Sequence, residues 1–404
     1  MNKYLRYTIL GLFACVSLIQ AATSDSFTFS NHIRYGYDDN LYQDETDEVE
    51  SSYISDIFNL SGKMLFSNRS EILLYWQPEL RYRFDAEEKA LFFQDLYVSY
   101  HNAINQSSEI QITDRYRYSE LDANQSGSEL DANQSGNEAS REYAENVLKG
   151  SYRNQLNEKN SMNLSAGLTS RRNDNDSNLF SETRDFDRYN IAGVISRNLD
   201  RDKRTLSLGY NFSDHQIDNN AGGIQSGTLF LGYDRIFNPQ LMGSIQLGYT
   251  DAEIEQKAGG ANSSLISDST NPFYEIGFNY DLSERTQLSS SFSHSLRYTT
   301  TSLYNAEIRN DWLIALSHDL TAKINLAISF SYIDANYESD FLREVGAEED
   351  KEDQSTVLNI RTEYQINRNH FVEVGYQGRS RTTEISDNGD YDKNRIYLGW
   401  KLQL

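Results

Sequence analysis

Closely spaced arginines are the first feature with chemical content. Arg81 and Arg83, Arg115 and Arg117, and Arg379 and Arg381 are each separated by a single residue. In an extended chain, side chains two apart share a face, so each pair would present two guanidinia side by side. A guanidinium is permanently charged and carries a planar fork of donors. It suits either attraction of passing anions or bidentate pairing with carboxylates of the same wall. The residue types leave both open. Nucleophilic catalysis has less to draw on, because a base must lie within hydrogen-bond reach of its nucleophile. The six histidines are His32, His101, His215, His294, His318 and His370, and only His294 is flanked by serines on both sides. Those are Ser293 and Ser295, which on a strand point away from its face. The run NDNDSN at 173–178 spaces carboxylates as some calcium loops do. It lacks the later bidentate glutamate, so a solvated loop is expected. No catalytic residue, metal or cofactor is expected.

The elements that would position these arginines repeat one pattern, about ten residues alternating apolar and polar and then a break. Ile396, Leu398, Trp400, Leu402 and Leu404 fall on one face, and Tyr397, Gly399, Lys401 and Gln403 on the other. Leu206, Leu208, Tyr210 and Phe212 alternate in the same way, as do Ile324, Leu326, Ile328, Phe330 and Tyr332. A period of two is a strand. About 18 such segments are read, with 16 also compatible.

Long polar breaks fall near 38–52, 119–141, 172–184, 214–223, 251–271, 337–353 and 382–394. Short ones fall near 67–70, 197–204, 235–240, 281–286, 317–322 and 367–370. Alternating long and short connections predict an antiparallel up-and-down transmembrane β-barrel, all-β, with long extracellular loops and short periplasmic turns. Lipid forbids an open sheet edge, so the strands must close. Aromatics at the ends of apolar stripes, Tyr35, Tyr37, Tyr82, Phe84, Tyr116, Tyr118 and Tyr298, are expected to form an interfacial girdle. Residues 119–127 (SELDANQSG) recur identically at 128–136, a duplication that an exposed loop tolerates.

Composition agrees with this architecture. The 404 residues are 38% hydrophobic and 12% aromatic, with 28 Tyr and 19 Phe, too aromatic for a disordered chain and too polar for a helical membrane protein. The net charge of −23 makes nucleic acid an improbable partner. Residues 1–21 place Lys3 and Arg6 ahead of an apolar run and small residues at Ala21 and Ala22, the pattern of a cleaved secretory signal peptide. Residues 22–404 then form the barrel domain. The single cysteine, Cys15, would leave with the leader. Localisation in the outer membrane of a Gram-negative envelope follows.

If the apolar face meets lipid, the other face lines the pore. It carries Arg34, Lys63, Arg81, Arg83, Arg115, Arg117, Lys149, Arg171, Arg188, Arg297, Arg309, Arg361, Arg379, Arg381, Arg395 and Lys401. The acidic set is Glu71, Glu79, Asp95, Glu109, Glu145, Asp234, Glu275, Glu307, Asp311, Glu363 and Glu373. The inferred wall is thus net positive inside an acidic chain, with the negative charge in the loops. Asp114 falls on the lipid face in this register, which points to a bulge or a misread strand.

The first strand ends in Tyr37, Asp38, Asp39 and Asn40, which resembles the Tyr-Asp-Asp-Asn signature of the putative β-barrel porin 2 family. Strand rhythm extends the resemblance over the mature chain. The C-terminal stretch, with Tyr397, Gly399, Leu402 and Leu404, is similar to the assembly signal of outer-membrane barrels, although Leu404 stands where phenylalanine is usual. The resemblance implies a wide channel associated with exopolysaccharide export. Its implied partners are outer-membrane lipid and lipopolysaccharide, the barrel-assembly machinery and periplasmic polysaccharide-export components. A diffusion porin for small solutes is the alternative; an outer-membrane hydrolase or an adhesin acting through its loops fits less well.

Overall fold

The computed structural model describes residues 26–41, 43, 48–85, 90–119, 143–173, 185–200, 203–217, 222–257, 264–298, 306–338, 351–384 and 390–404. The leader, the duplicated segment beyond Ser119 and the NDNDSN run beyond Asn173 lie outside them. Every regular element among the described residues is a strand. They are β1 (Ser26–Asp38), β2 (Ser51–Ser67), β3 (Ser70–Arg83), β4 (Ala90–Ala103), β5 (Ser108–Ser119) and β6 (Tyr143–Gln155). There follow β7 (Asn160–Asn173), β8 (Phe186–Asn198), β9 (Arg204–Ile217), β10 (Gly222–Asn238), β11 (Leu241–Lys257) and β12 (Ser264–Ser283). The last are β13 (Thr286–Tyr298), β14 (Ala306–Thr321), β15 (Ile324–Glu338), β16 (Lys351–Gln365), β17 (His370–Thr383) and β18 (Tyr391–Gln403).

Each strand pairs antiparallel with the next, and β18 pairs with β1, so the 18-stranded sheet closes on itself. The ends of the chain finish the closure, where Phe29 and Leu404 exchange backbone hydrogen bonds of 3.2 and 2.8 Å. Following the cross-strand pairs once round the barrel returns to β1 displaced by roughly 22 residues. At about 3.3 Å per residue and about 4.8 Å between strands, this stagger tilts the strands by about 40° and sets a backbone diameter of about 35 Å. Such a cylinder is too wide for side chains to fill without help.

The outward face is apolar. Ile191 is 61% exposed, Leu231 58% and Tyr249 66%, a belt that water would not tolerate and lipid requires. Asp114 does point outward, but no bulge accompanies it: β5 pairs in unbroken register with both neighbours, and the carboxylate accepts a 2.8 Å bond from Asn146 Nδ2. Register shifts occur instead beside tight turns, for example between Ile236 and Asn238 and between Asp319 and Thr321.

Two sequence expectations change. Strands run further outward than the alternation indicated: β11 reaches Lys257 and β12 begins at Ser264, inside the supposed break at 251–271. Above the bilayer both faces meet polar surroundings, so the hydrophobic period fades while the backbone ladder continues. Four further connections, at 84–89, 104–107, 156–159 and 299–305, join strands that the breaks left fused. The exposed apolar residues Phe84, Ile104 and Leu156 disguise three of them.

Among the described residues the wall is split at one place. The β12–β13 ladder stops at Tyr274 and His294, yet β12 continues to Ser264 paired with β11, and β13 continues to Tyr298 paired with β14. Continued in register, the ladder would set Ser295 against Phe273 and then Leu296 against Pro272, which has no N–H to donate. The β11 ladder passes Pro272 uninterrupted, so the missing donor faces β13. Pro78 on β3 perforates the ladder to β2 in the same way, but there pairing resumes at Leu60 and Trp76. At Pro272 it does not resume.

Candidate functional site

The inward face is the candidate site, and alternation assigns its residues strand by strand. Arg34, Arg81, Arg83, Arg115, Arg117, Arg188, Arg297, Arg309, Arg361, Arg379, Arg381 and Arg395 all sit on the face opposite the apolar belt. Nine of them pair with inward carboxylates. Arg115 grips Asp95 with two nitrogens at 2.9 and 2.5 Å, and Arg381 grips Asp353 at 2.8 and 2.9 Å. Arg34 donates to Glu373 at 2.5 Å, Arg81 to Glu79 at 2.6 Å, Arg297 to Asp311 at 2.5 Å, and Arg117 pairs with Glu145. Arg309 lies between Asp311 at 2.6 Å and Glu307 at 3.5 Å. The lysines follow, Lys63 with Glu71 and Lys401 with Glu363. Fixed guanidinium–carboxylate pairs therefore dominate the wall, each presenting donors and acceptors side by side. Arg188, Arg361 and Arg379 have no carboxylate within ion-pair distance among the described residues; Arg188 and Arg379 lie over the rings of Tyr298 and Tyr391.

The Tyr-Asp-Asp-Asn residues occupy the closing seam. Asp38 is fully buried and takes Arg395 at 2.7 Å, Lys393 at 3.4 Å and Arg83 at 3.7 Å, joining β1, β18 and β3. Asp39, facing outward, accepts from the backbone N–H and side-chain amide of Asn394 at 2.6 and 2.8 Å. Asn40 donates to the carbonyl of Asp392 at 3.0 Å, and Tyr37 is exposed in the aromatic belt. Three of the four residues thus clasp the first strand to the last. Asp38, Asp353 and Lys393 were absent from the inferred pore wall, although each shares the face of an arginine that was in it: Arg34, Arg361 and Arg395.

Of the C-terminal residues, Tyr397 and Gly399 face inward, Leu402 faces outward and Leu404 closes against Phe29. The Tyr397 ring lies across Gly375, with the Arg34 guanidinium 4.7 Å from its centroid. A Cβ on Gly399 would stand 2.8 Å from Glu373, so glycine leaves room for the Arg34–Glu373 pair.

Burial divides the lumen. Inward residues of the outer third, including Arg83, Arg171, His215, Arg309, Tyr337 and Arg381, are buried, whereas among lower positions Lys63 and Gln246 are half-buried and Lys149 is exposed. The Tyr337 side chain is fully buried. Across the mouth Tyr298 leaves the expected girdle. Its ring stacks on His215 of β9 at 3.6 Å and meets Phe186 of β8 at 5.4 Å, with Arg188 4.9 Å from its centroid. Ala306 of β14 joins the same cluster against Ile224 and Ala252 of β10 and β11. On a circular barrel of this size strands four apart stand about 23 Å from one another. The outer ends of β13 and β14 therefore lean across the mouth.

A closed barrel with a lipid-facing apolar belt and a water-facing charged interior is an outer-membrane barrel of the porin type. The family model described as Putative beta-barrel porin 2 matches residues 141–404, and the chain belongs to that family. The matched stretch starts after the Tyr-Asp-Asp-Asn residues. No curated protein matches the sequence. Similar solved structures include the ferric citrate transporter FecA, at 10% identity and TM-score 0.53, covering 94% of this chain and 79% of that one. OccK2 (OpdF) of Pseudomonas aeruginosa, crystallised with glucuronate, has 12% identity and TM-score 0.52, covering 95% of this chain and 99% of that one. The outer membrane protein opdK of the same organism has 9% identity and TM-score 0.50, covering 94% and 99%. At these identities the likeness is one of fold.

Proposed function

We propose that the protein, delivered by a cleaved leader at residues 1–21, is a passive outer-membrane conduit for hydroxyl-rich solutes, and that an exopolysaccharide leaving the cell is its cargo. The observation that carries this reading is the pairing of the inward arginines. A ring of unpaired guanidinia would select anions, whereas fixed guanidinium–carboxylate pairs offer alternating donors and acceptors without strong net charge. Inward Ser55, Ser99, Gln111, Asn211, Thr250 and Asn359 extend the same chemistry between them. Sugar hydroxyls both donate and accept, so such a wall can exchange contacts with a passing chain at little net cost. Periplasmic export components and the lipopolysaccharide leaflet are the partners that this role requires.

Arg188, Arg361 and Arg379 favour a second reading, an anion-preferring diffusion porin for small solutes. Planar-bilayer recordings separate the two. Conduction interrupted by added neutral oligosaccharide, with a reversal potential near zero in a salt gradient, supports the saccharide conduit. A marked anion preference with no oligosaccharide block supports the porin. Absence of any conductance removes both.

A further inference from the structure

The split at Pro272 and the contact across the mouth describe one device. We propose that the outer ends of β13 and β14 form a tongue with two positions: latched across the mouth, as seen here, or zipped back into the wall against β12. The inference rests on the channel reading for its consequence, but the motion itself is tested separately below.

Three observations converge on it. First, beyond His294 β13 makes no ladder to β12 while its ladder to β14, and that of β14 to β15, run on to the outer end, and β12 keeps the matching edge, Ser264 to Phe273, with no pairing to β13. Extending the existing register would place Ser295 against Phe273, Leu296 against Pro272, Arg297 against Asn271 and Tyr298 against Thr270. Zipping therefore needs no slip and moves no side chain to the other face. Second, the latch is built from specific contacts. The Tyr298 ring stacks on His215 and meets Phe186, which touches His215 in turn; Phe186 and His215 are buried and Tyr298 is half-buried, although the cluster joins strands far apart in the sheet. Third, the hinge has a chemical cause. Pro272 removes the first ladder bond that the zipped state would make, which narrows the energy gap between the two positions. Pro78 shows that a proline alone does not keep a ladder apart. The latch supplies the remaining preference for the seen position.

The consequence is reciprocal control of two openings. With the tongue latched, the mouth is obstructed and the wall is split above Tyr274 and His294. With it zipped, the wall is whole and the mouth is clear.

The only cysteine is Cys15, so cysteine pairs report position directly. In the first variant, His215→Cys with Tyr298→Cys is bridged by a short bifunctional thiosulfonate. In the second, Asn271→Cys with Arg297→Cys is oxidised to a disulfide, which opposed residues of neighbouring strands can reach. Both bridges are expected to form in the folded barrel. Single-channel conductance should fall several-fold in the first variant, rise several-fold in the second, and return in both on reduction. Pro272→Ala, which restores the donor, should raise both the zipped-pair yield and the open fraction. If the Asn271–Arg297 bridge fails to form even with Pro272→Ala, the tongue does not swing and the inference falls. If both bridges form and the barrel conducts equally well in each, the tongue moves but does not obstruct the mouth, which overturns the gating inference. A barrel that conducts in neither state yet forms both bridges refutes the channel reading and leaves the motion standing.

Discussion

Replacing Asp38 with asparagine keeps the side chain's shape and deletes its charge. Asp38 is fully buried, and the side chains of Arg83, Lys393 and Arg395 are 1%, 6% and 7% exposed. Breaking one buried pair costs about 3–5 kcal/mol, because the partner is left uncompensated. Here one carboxylate serves three cations, so Asp38→Asn is expected to lie at the upper end of that range. Asp39→Asn is the control. Its carboxylate is half-buried and makes two bonds to Asn394, so its loss is expected to cost about 1 kcal/mol. Equilibrium unfolding in urea, followed in lipid vesicles by the fluorescence of Trp76, Trp312 and Trp400, measures both. Combining Asp38→Asn with Lys393→Met should recover part of the loss, because one orphaned charge is then removed. If Asp38→Asn costs under about 1 kcal/mol, or no more than Asp39→Asn, the charge cluster does not hold the seam.

Glu373→Gln should release Arg34 and shift the reversal potential toward anions in a salt gradient; no shift would place Arg34 away from the conducting path. Asp114→Leu exchanges an outward carboxylate for an apolar residue at lipid depth and should stabilise the barrel by about 1–2 kcal/mol in vesicle unfolding. Destabilisation would mean that something other than lipid covers that face. Gly375→Ala would drive a methyl group into the Tyr397 ring, lift it from beneath Arg34, and cost about 1–3 kcal/mol.

Hydrophobic alternation made the strand count and the inside–outside assignment of the arginines legible, because lipid on one side and water on the other impose opposite demands on successive residues. Asp114 is a polar residue on the outward face of a strand in unbroken register, not the mark of a bulge. Most of the arginine pairing was not legible, because the partner comes from a neighbouring strand, as Asp95 for Arg115, or from the next strand but one, as Glu373 for Arg34. Arg81 with Glu79 and Arg309 with Glu307 and Asp311 are two apart on one strand and shared a face in the sequence. Register between strands is set by turn length and ladder geometry, which periodicity along one strand does not contain. Tyr298 was misassigned for a related reason. Its parity is outward, but the end of β13 that carries it has parted from β12 and leans inward together with β14.

The clasp between β1 and β18 also bears on how the molecule is made. Asp38 belongs to the first strand synthesised, Arg83 to the third, and Lys393 and Arg395 to the last. Until the final strand docks, the carboxylate lacks two of its three counterions and both outer edges of the sheet are bare. Bare sheet edges do not survive in hydrocarbon. Insertion is then all-or-nothing with respect to length: a chain cut short before Asp392 has no stable halfway form in the bilayer, and the earliest acidic residue in the wall becomes a test of whether the latest basic ones have arrived.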